Sequence, residues 1–95
     1  MATKVYKALS DPTRRKILQL LREQDMNAGE IAAHFESTKP TLSRHFSVLQ
    51  EADLIQGTRQ GNFIIYRLNL SVLEDALRMM METFKIDVKG MNDAK

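Results

Sequence analysis

Three helix-start signals crowd the first half of the chain. Asp11 stands directly before Pro12, Asn27 stands three residues before Glu30, and Thr38 stands two before Pro40. A cap side chain accepts from a backbone amide that has no helical partner, and proline suits a first turn because it has no such amide to lose. A Glu three residues after the cap can return a bond to the cap's own amide, so Asn27-Ala28-Gly29-Glu30 reads as a capping box. New helices therefore begin in quick succession, with room for only a short one between Asn27 and Thr38. Two helices joined by a tight turn satisfy that spacing.

Apolar periodicity fills in the elements. Lys4 to Leu9 is an apolar-rich entry segment. From Pro12 to about Glu23, Ile17, Leu18, Leu20 and Leu21 form one stripe, and Arg14, Arg15 and Arg22 lie on the polar side. The next, short helix carries Ile31, Ala32, Ala33 and Phe35, and Glu36 to Lys39 make the turn. From Pro40 to about Ala52, Leu42, Phe46 and Leu49 recur at helical period, with Asp53 continuing their side. Leu54 and Ile55 open a strand, Thr58 to Asn62 supply turn chemistry around Gly61, and Phe63 to Leu68 are a β-branched and aromatic run of strand length. Ser71 and Glu74 form a second capping box, opening a helix from Val72 to about Lys85. This order predicts a mainly α fold with one β-hairpin, a winged helix-turn-helix.

Val72, Leu73, Ala76, Leu77, Met79, Met80, Met81 and Phe84 wrap more than one face of that last helix, whereas a surface helix of a monomer needs a single stripe. A 95-residue chain builds only a modest core, so the surplus predicts packing against a second copy. An adaptable methionine-lined ligand pocket is the other use of such a helix. Residues 1–86 read as one domain, and the polar, glycine-containing stretch 87–95 as a flexible tail.

The 43% apolar and 27% charged residues describe a chain that folds, and the formal charge of +2 permits a polyanionic partner without demanding one. With no cysteine there are no disulfides, thiolate ligands or thiol nucleophiles, and two histidines make a poor metal set; neither a metal nor another cofactor is expected. The N-terminal segment lacks a signal-peptide apolar region and no apolar stretch reaches membrane-span length, which predicts a cytoplasmic protein.

On the helix from Pro40, residues step by about 100°. Leu42, Phe46 and Leu49 point one way; Pro40, Arg44, Ser47 and Glu51 point the other, with Thr41 and Ser43 on the flanks and Lys39 at the entry. Cations and hydroxyls thus gather early in the helix. Arginine can fork onto guanine O6 and N7, hydroxyls can donate or accept at base edges, and the helix start favours phosphate. A solvated helix face would look similar in isolation; the capped helix before it and the hairpin after it favour DNA. Ser43 and His45, two apart, point about 200° from each other and cannot act as a catalytic pair. No acid, base and nucleophile share a face, so the chain does not read as an enzyme. His45 lies beside the apolar stripe, either anchoring the helix or touching phosphate or base, and His34 reads as structural. In the hairpin, Arg59, Gln60 and Asn62 surround Gly61 as a tip able to reach the DNA backbone or minor groove.

The segments KALSDPTRRKILQLL, AGEIAAHF, STKPTLSRHFSVLQEADLI and RQGNFIIYRLN, in this order, resemble the arsenic-repressor (ArsR/SmtB) family of bacterial winged-helix regulators, and within it the small autorepressors of the sporulation-delay type. The resemblance runs from Val5 to about Phe84. It implies a homodimeric repressor of a palindromic operator at its own or a neighbouring promoter. Its DNA contacts would fall on Lys39, Pro40, Thr41, Ser43, Arg44 and His45 of the reading helix and on Arg59 and Gln60 of the wing. A dimeric repressor of this kind is expected here to hold Lys39, Arg14 or Arg59 nearer phosphates, with the hydroxyls and guanidinium of the reading helix at base edges. The first and last helices would form the dimer interface, here Val5, Leu9, Leu73, Leu77, Met80, Met81 and Phe84. Family wings often carry a basic residue where this chain has Asn62. Metal-sensing members place cysteines where this chain has Asn27 and Gly29, or histidines on the last helix, which here has none; an inducer would be a small molecule, a protein, or protein concentration itself. A winged-helix protein-interaction module that does not read DNA is the alternative.

Overall fold

The computed structural model describes residues 2–87; most of the tail expected at 87–95 lies outside them. The entry segment is a helix, α1 (Ala2–Leu9), the first of the two helices expected to pack against a second copy. Val5 and Ala8 are buried, and the Tyr6 hydroxyl donates to the Ala76 carbonyl at 3.1 Å, fastening the first helix to the last.

The next helix, α2 (Pro12–Glu23), starts where its cap dictates: Asp11 Oδ2 accepts from the amides of Thr13 at 2.9 Å and Arg14 at 3.1 Å. Desolvation pushes the Asp11 carboxyl up, but the amide bonds from Arg14 and Thr13, together with the nearby Arg14 charge, work against it, and its pKa lies below the ordinary 3.8. A carboxyl lowered on folding stabilises the fold fully above its unfolded value, and that contribution is lost as pH falls through the lowered native value. Urea melts of Asp11→Asn, which keeps a capping oxygen, are expected to show less acid sensitivity than the parent as pH falls below about 5, whereas Asp11→Ala should cost ~0.5–2 kcal/mol at neutral pH. Parallel acid profiles for parent and Asp11→Asn would remove Asp11 from the acid response.

A two-residue strand, β1 (Met26–Asn27), was not legible in the sequence. It pairs Met26 with Tyr66 and Asn27 with Ile65, converting the expected hairpin into a three-stranded antiparallel sheet of order β1-β3-β2. Immediately after it, α3 (Ala28–Ala32) forms with the capping box intact, Asn27 N donating to Glu30 Oε1 and Glu30 N to Asn27 Oδ1, both at 2.8 Å. It stops short of Phe35, because Ala33 and His34 already turn toward α4 (Lys39–Glu51). Thr38 caps α4 and Pro40 sits in its first turn. Asp53 does not extend the apolar stripe: the helix ends at Glu51, and Asp53 takes a left-handed conformation (φ 60°) that turns the chain into β2.

The wing comprises β2 (Ile55–Gln60) and β3 (Phe63–Leu68), joined by Gly61-Asn62, with Gly61 at φ 60°. The turn is tighter than Thr58 to Asn62, so Arg59 and Gln60 belong to a strand, paired with Ile64 and Phe63. Finally, α5 (Leu70–Thr83) begins one residue after β3. The Ser71–Glu74 capping box does not form, because the backbone is already helical by Ser71 and Asn69 holds the cap position. The Asn69 side chain instead donates to the Asp53 carbonyl at 2.8 Å, locking the turn after α4 to the end of the wing.

Ile17, Ile31, Leu49 and Leu54 are the largest fully buried side chains, joined by Leu42, Phe46, Tyr66 and Ala76 in one core. Phe46 of α4 stacks on Tyr66 of β3, ring centroids 5.1 Å apart. Gly57 makes room for this: a Cβ there would lie 2.8 Å from Ile64 Cγ2 and 3.2 Å from Tyr66 Cε1.

Candidate nucleic-acid interface

The stripe of Leu42, Phe46 and Leu49 fixes α4 to the core and so decides what faces outward. Lys39, Pro40, Thr41, Ser43, Arg44 and Ser47 are exposed along its outer side. Among the described residues, Lys39 and Arg44 make neither a hydrogen bond nor an ion pair, so their charges are available. The Thr41 hydroxyl is partly engaged, accepting from the Thr38 hydroxyl at 3.0 Å. Glu51, the acid on this side, lies at the far end of the helix. Unpartnered cations at the positive end of a 13-residue helix concentrate favourable potential for a polyanion there.

The wing adds Arg59 and Gln60, both exposed. Arg59 shares a sheet face with Ile64 and, one pair further in, with Gly57 and Tyr66, so it continues outward the face that packs on α4 through Phe46. Arg67 pairs with the Gln56 side chain at 3.3 Å and with no acid. Phe63 (60% exposed) and Ile64 (45%) stand uncovered beside the turn. In sequence they stand out only as strand formers; the signal for an exposed apolar patch is a run that begins immediately after Gly61-Asn62, past what the core covers.

Two residues sit differently from the sequence expectation. Arg14, grouped with the phosphate contacts, turns inward: Nε donates to the Ala8 carbonyl at 2.8 Å and Nη2 to the Lys7 carbonyl at 3.1 Å, while Nη1 lies 3.1 Å from His45 Nδ1. His45 does not point with Arg44. Its side chain is only 13% exposed, and Nε2 faces Asp11 Oδ2 at 3.9 Å.

Along α5, Leu77 (48%) and Met79 are exposed, as is the C-cap residue Phe84 (65%), with Leu73, Met80 and Met81 half-buried on the same helix. Leu9 of α1 is also half-buried. Val5 packs into the protomer core and is 5% exposed. Among the described residues no three His, Asp or Glu side chains gather in a metal-binding arrangement, and no helix is long and apolar enough to cross a membrane.

A helix-turn-helix that presents exposed cations and hydroxyls, flanked by a basic hairpin, defines a winged-helix DNA-binding regulator. The sequence profile of the family described as "bacterial regulatory protein, arsR family" matches residues 11–56, from the α2 cap through the reading helix. The transcriptional repressor SdpR of Bacillus subtilis strain 168 is 49% identical over 89 residues, 94% of this chain and 96% of the relative. The arsenical resistance operon repressor of Staphylococcus aureus is 35% identical over 74 residues, 78% of this chain and 71% of the relative. Among solved structures, a possible transcriptional regulator for arsenical resistance superposes with a TM-score of 0.74 at 34% identity, covering 93% of this chain and 91% of the other. An ArsR-like transcriptional regulator from Rhodococcus sp. RHA1 gives a TM-score of 0.77 at 28% identity, covering 88% and 78%. The chain belongs to the arsR family of bacterial regulatory proteins, and it is a DNA-binding transcriptional regulator, not an enzyme.

Proposed function

We propose that the protein is a homodimeric repressor that binds a palindromic operator, inserting α4 into the major groove and laying the wing along the flanking backbone. The observation that carries this reading is the exposed N-terminal half of α4, where Lys39 and Arg44 have no partner among the described residues. Arg44 reads a base edge, with Thr41 and Ser43 beside it; Lys39 and Arg59 neutralise phosphates; Pro40 and Gln60 lie against the backbone. His45 and Arg14 drop out of the contact set, since the Arg14 guanidinium is bonded inside the protein and the His45 ring, 13% exposed, turns toward Arg14 and Asp11. Leu73, Leu77, Met80 and Met81 of α5, Phe84 at its C-cap and Leu9 of α1 form the dimer face, and the two-fold axis presents two reading helices to two half-sites.

The test is a salt titration on a duplex from the region upstream of the protein's own gene. The logarithm of the affinity is expected to fall linearly with that of salt, by about 0.9 per neutralised phosphate. Absence of any retardation at low salt would favour the alternative, a winged-helix module that binds protein instead of DNA.

A further inference from the structure

The Arg14–His45 contact joins three helices at one point. Lys7 and Ala8, whose carbonyls accept from Arg14, belong to the last turn of α1, where the helix leaves carbonyls without helical donors and a cation is favourable. Arg14 itself stands in the first turn of α2, its amide held by the Asp11 cap. The third terminus of its guanidinium meets His45 of α4. Guanidinium has donors only and stays protonated, so a bond at 3.1 Å requires Nδ1 to be the acceptor and leaves the ring proton on Nε2, the nitrogen that faces Asp11. One ring nitrogen thus accepts from Arg14, and the other, carrying the proton, is turned toward the Asp11 carboxylate.

We infer that Arg14 and His45 are positioning residues: they seat the reading helix against the α1–α2 corner, and neither touches DNA. The clasp acts at His45, the position next to Arg44, so it sets the rotation and depth at which Arg44 is offered to the groove. It also ties α4 to the C-terminal end of α1, through which a change in how α1 packs reaches the reading helix. This inference rests on the DNA-reading function proposed above.

The ring can be examined without DNA. In a long-range ¹H–¹⁵N spectrum of the neutral imidazole, His45 should carry its proton on Nε2 with Nδ1 bare; a proton on Nδ1 overturns the clasp. The functional test uses duplexes that the parent protein enriches from a random pool. Asparagine places an acceptor oxygen where Nδ1 sits, glutamine reaches toward Nε2, and leucine supplies none. His45→Asn should bind within about threefold of the parent, while His45→Gln and His45→Leu lose about tenfold or more, the scale of a hydrogen bond to a charged group. Asparagine no better than leucine would sink the positioning role. Arg14→Met should weaken binding comparably and leave the salt slope at the parent's value; a slope shallower by about 0.9 would make Arg14 a phosphate contact and overturn the inference. Should Arg14→Met fail to fold, the histidine series decides alone. A parent that enriches no duplex refutes the DNA reading and the positioning role with it, while the ring's tautomer still judges the contact separately.

Discussion

Arg44→Ala is expected to weaken binding to the enriched operator by on the order of 1–3 kcal/mol, about 5- to 150-fold, while binding to random duplex changes far less. The side chain is exposed, has no partner among the described residues, and stands on the face of α4 opposite the core stripe, so removing it leaves packing untouched. Enrichment from a random pool should then relax at one base pair in each half-site, the one the guanidinium forks onto. Equilibrium anisotropy on the two duplexes measures the split. Equal affinities for parent and variant on both would make Arg44 a bystander.

A still larger loss is expected from the double substitution Leu77→Asp and Phe84→Asp. These residues are 48% and 65% exposed, so a carboxylate at either costs the protomer little, but two charges facing their symmetry mates across an apolar interface should keep the copies apart. Light scattering is expected to report the 10.9 kDa chain mass in place of twice that value. Operator affinity should fall by about 10²- to 10⁴-fold, because the second half-site is no longer bound at high effective concentration. If the parent is already monomeric at micromolar concentration, the exposed α5 face has some other use.

What could be read in advance followed from chemistry local in sequence. Asp11, Asn27 with Glu30, and Thr38 each make the cap bonds their spacing announces, and the strand from Phe63 to Leu68 begins and ends where its composition does. The failures have a common origin in contacts distant along the chain. Met26–Asn27 is a strand only because Tyr66 and Ile65 lie beside it, and two residues carry no period. Ser71 loses the cap position to Asn69 because Asn69 is held by Asp53, sixteen residues earlier. Periodicity places Arg14 on the polar side of α2, yet polar is not the same as free: its partners come from α1 and α4. His45, ambiguous at the edge of the stripe, meets the same guanidinium at 3.1 Å. Val5 shows the converse, an apolar residue suited to a dimer face that the protomer's own core takes up.

Gly57 carries a consequence for engineering. Because Ile64 and Tyr66 occupy the space a side chain at Gly57 would need, and Tyr66 in turn rests on Phe46, the hairpin is not a detachable accessory. A wing transplanted from a relative to alter binding preference would have to bring along its own glycine, its own aromatic and a matching partner on the reading helix. The unit of exchange in this scaffold is the helix together with its hairpin.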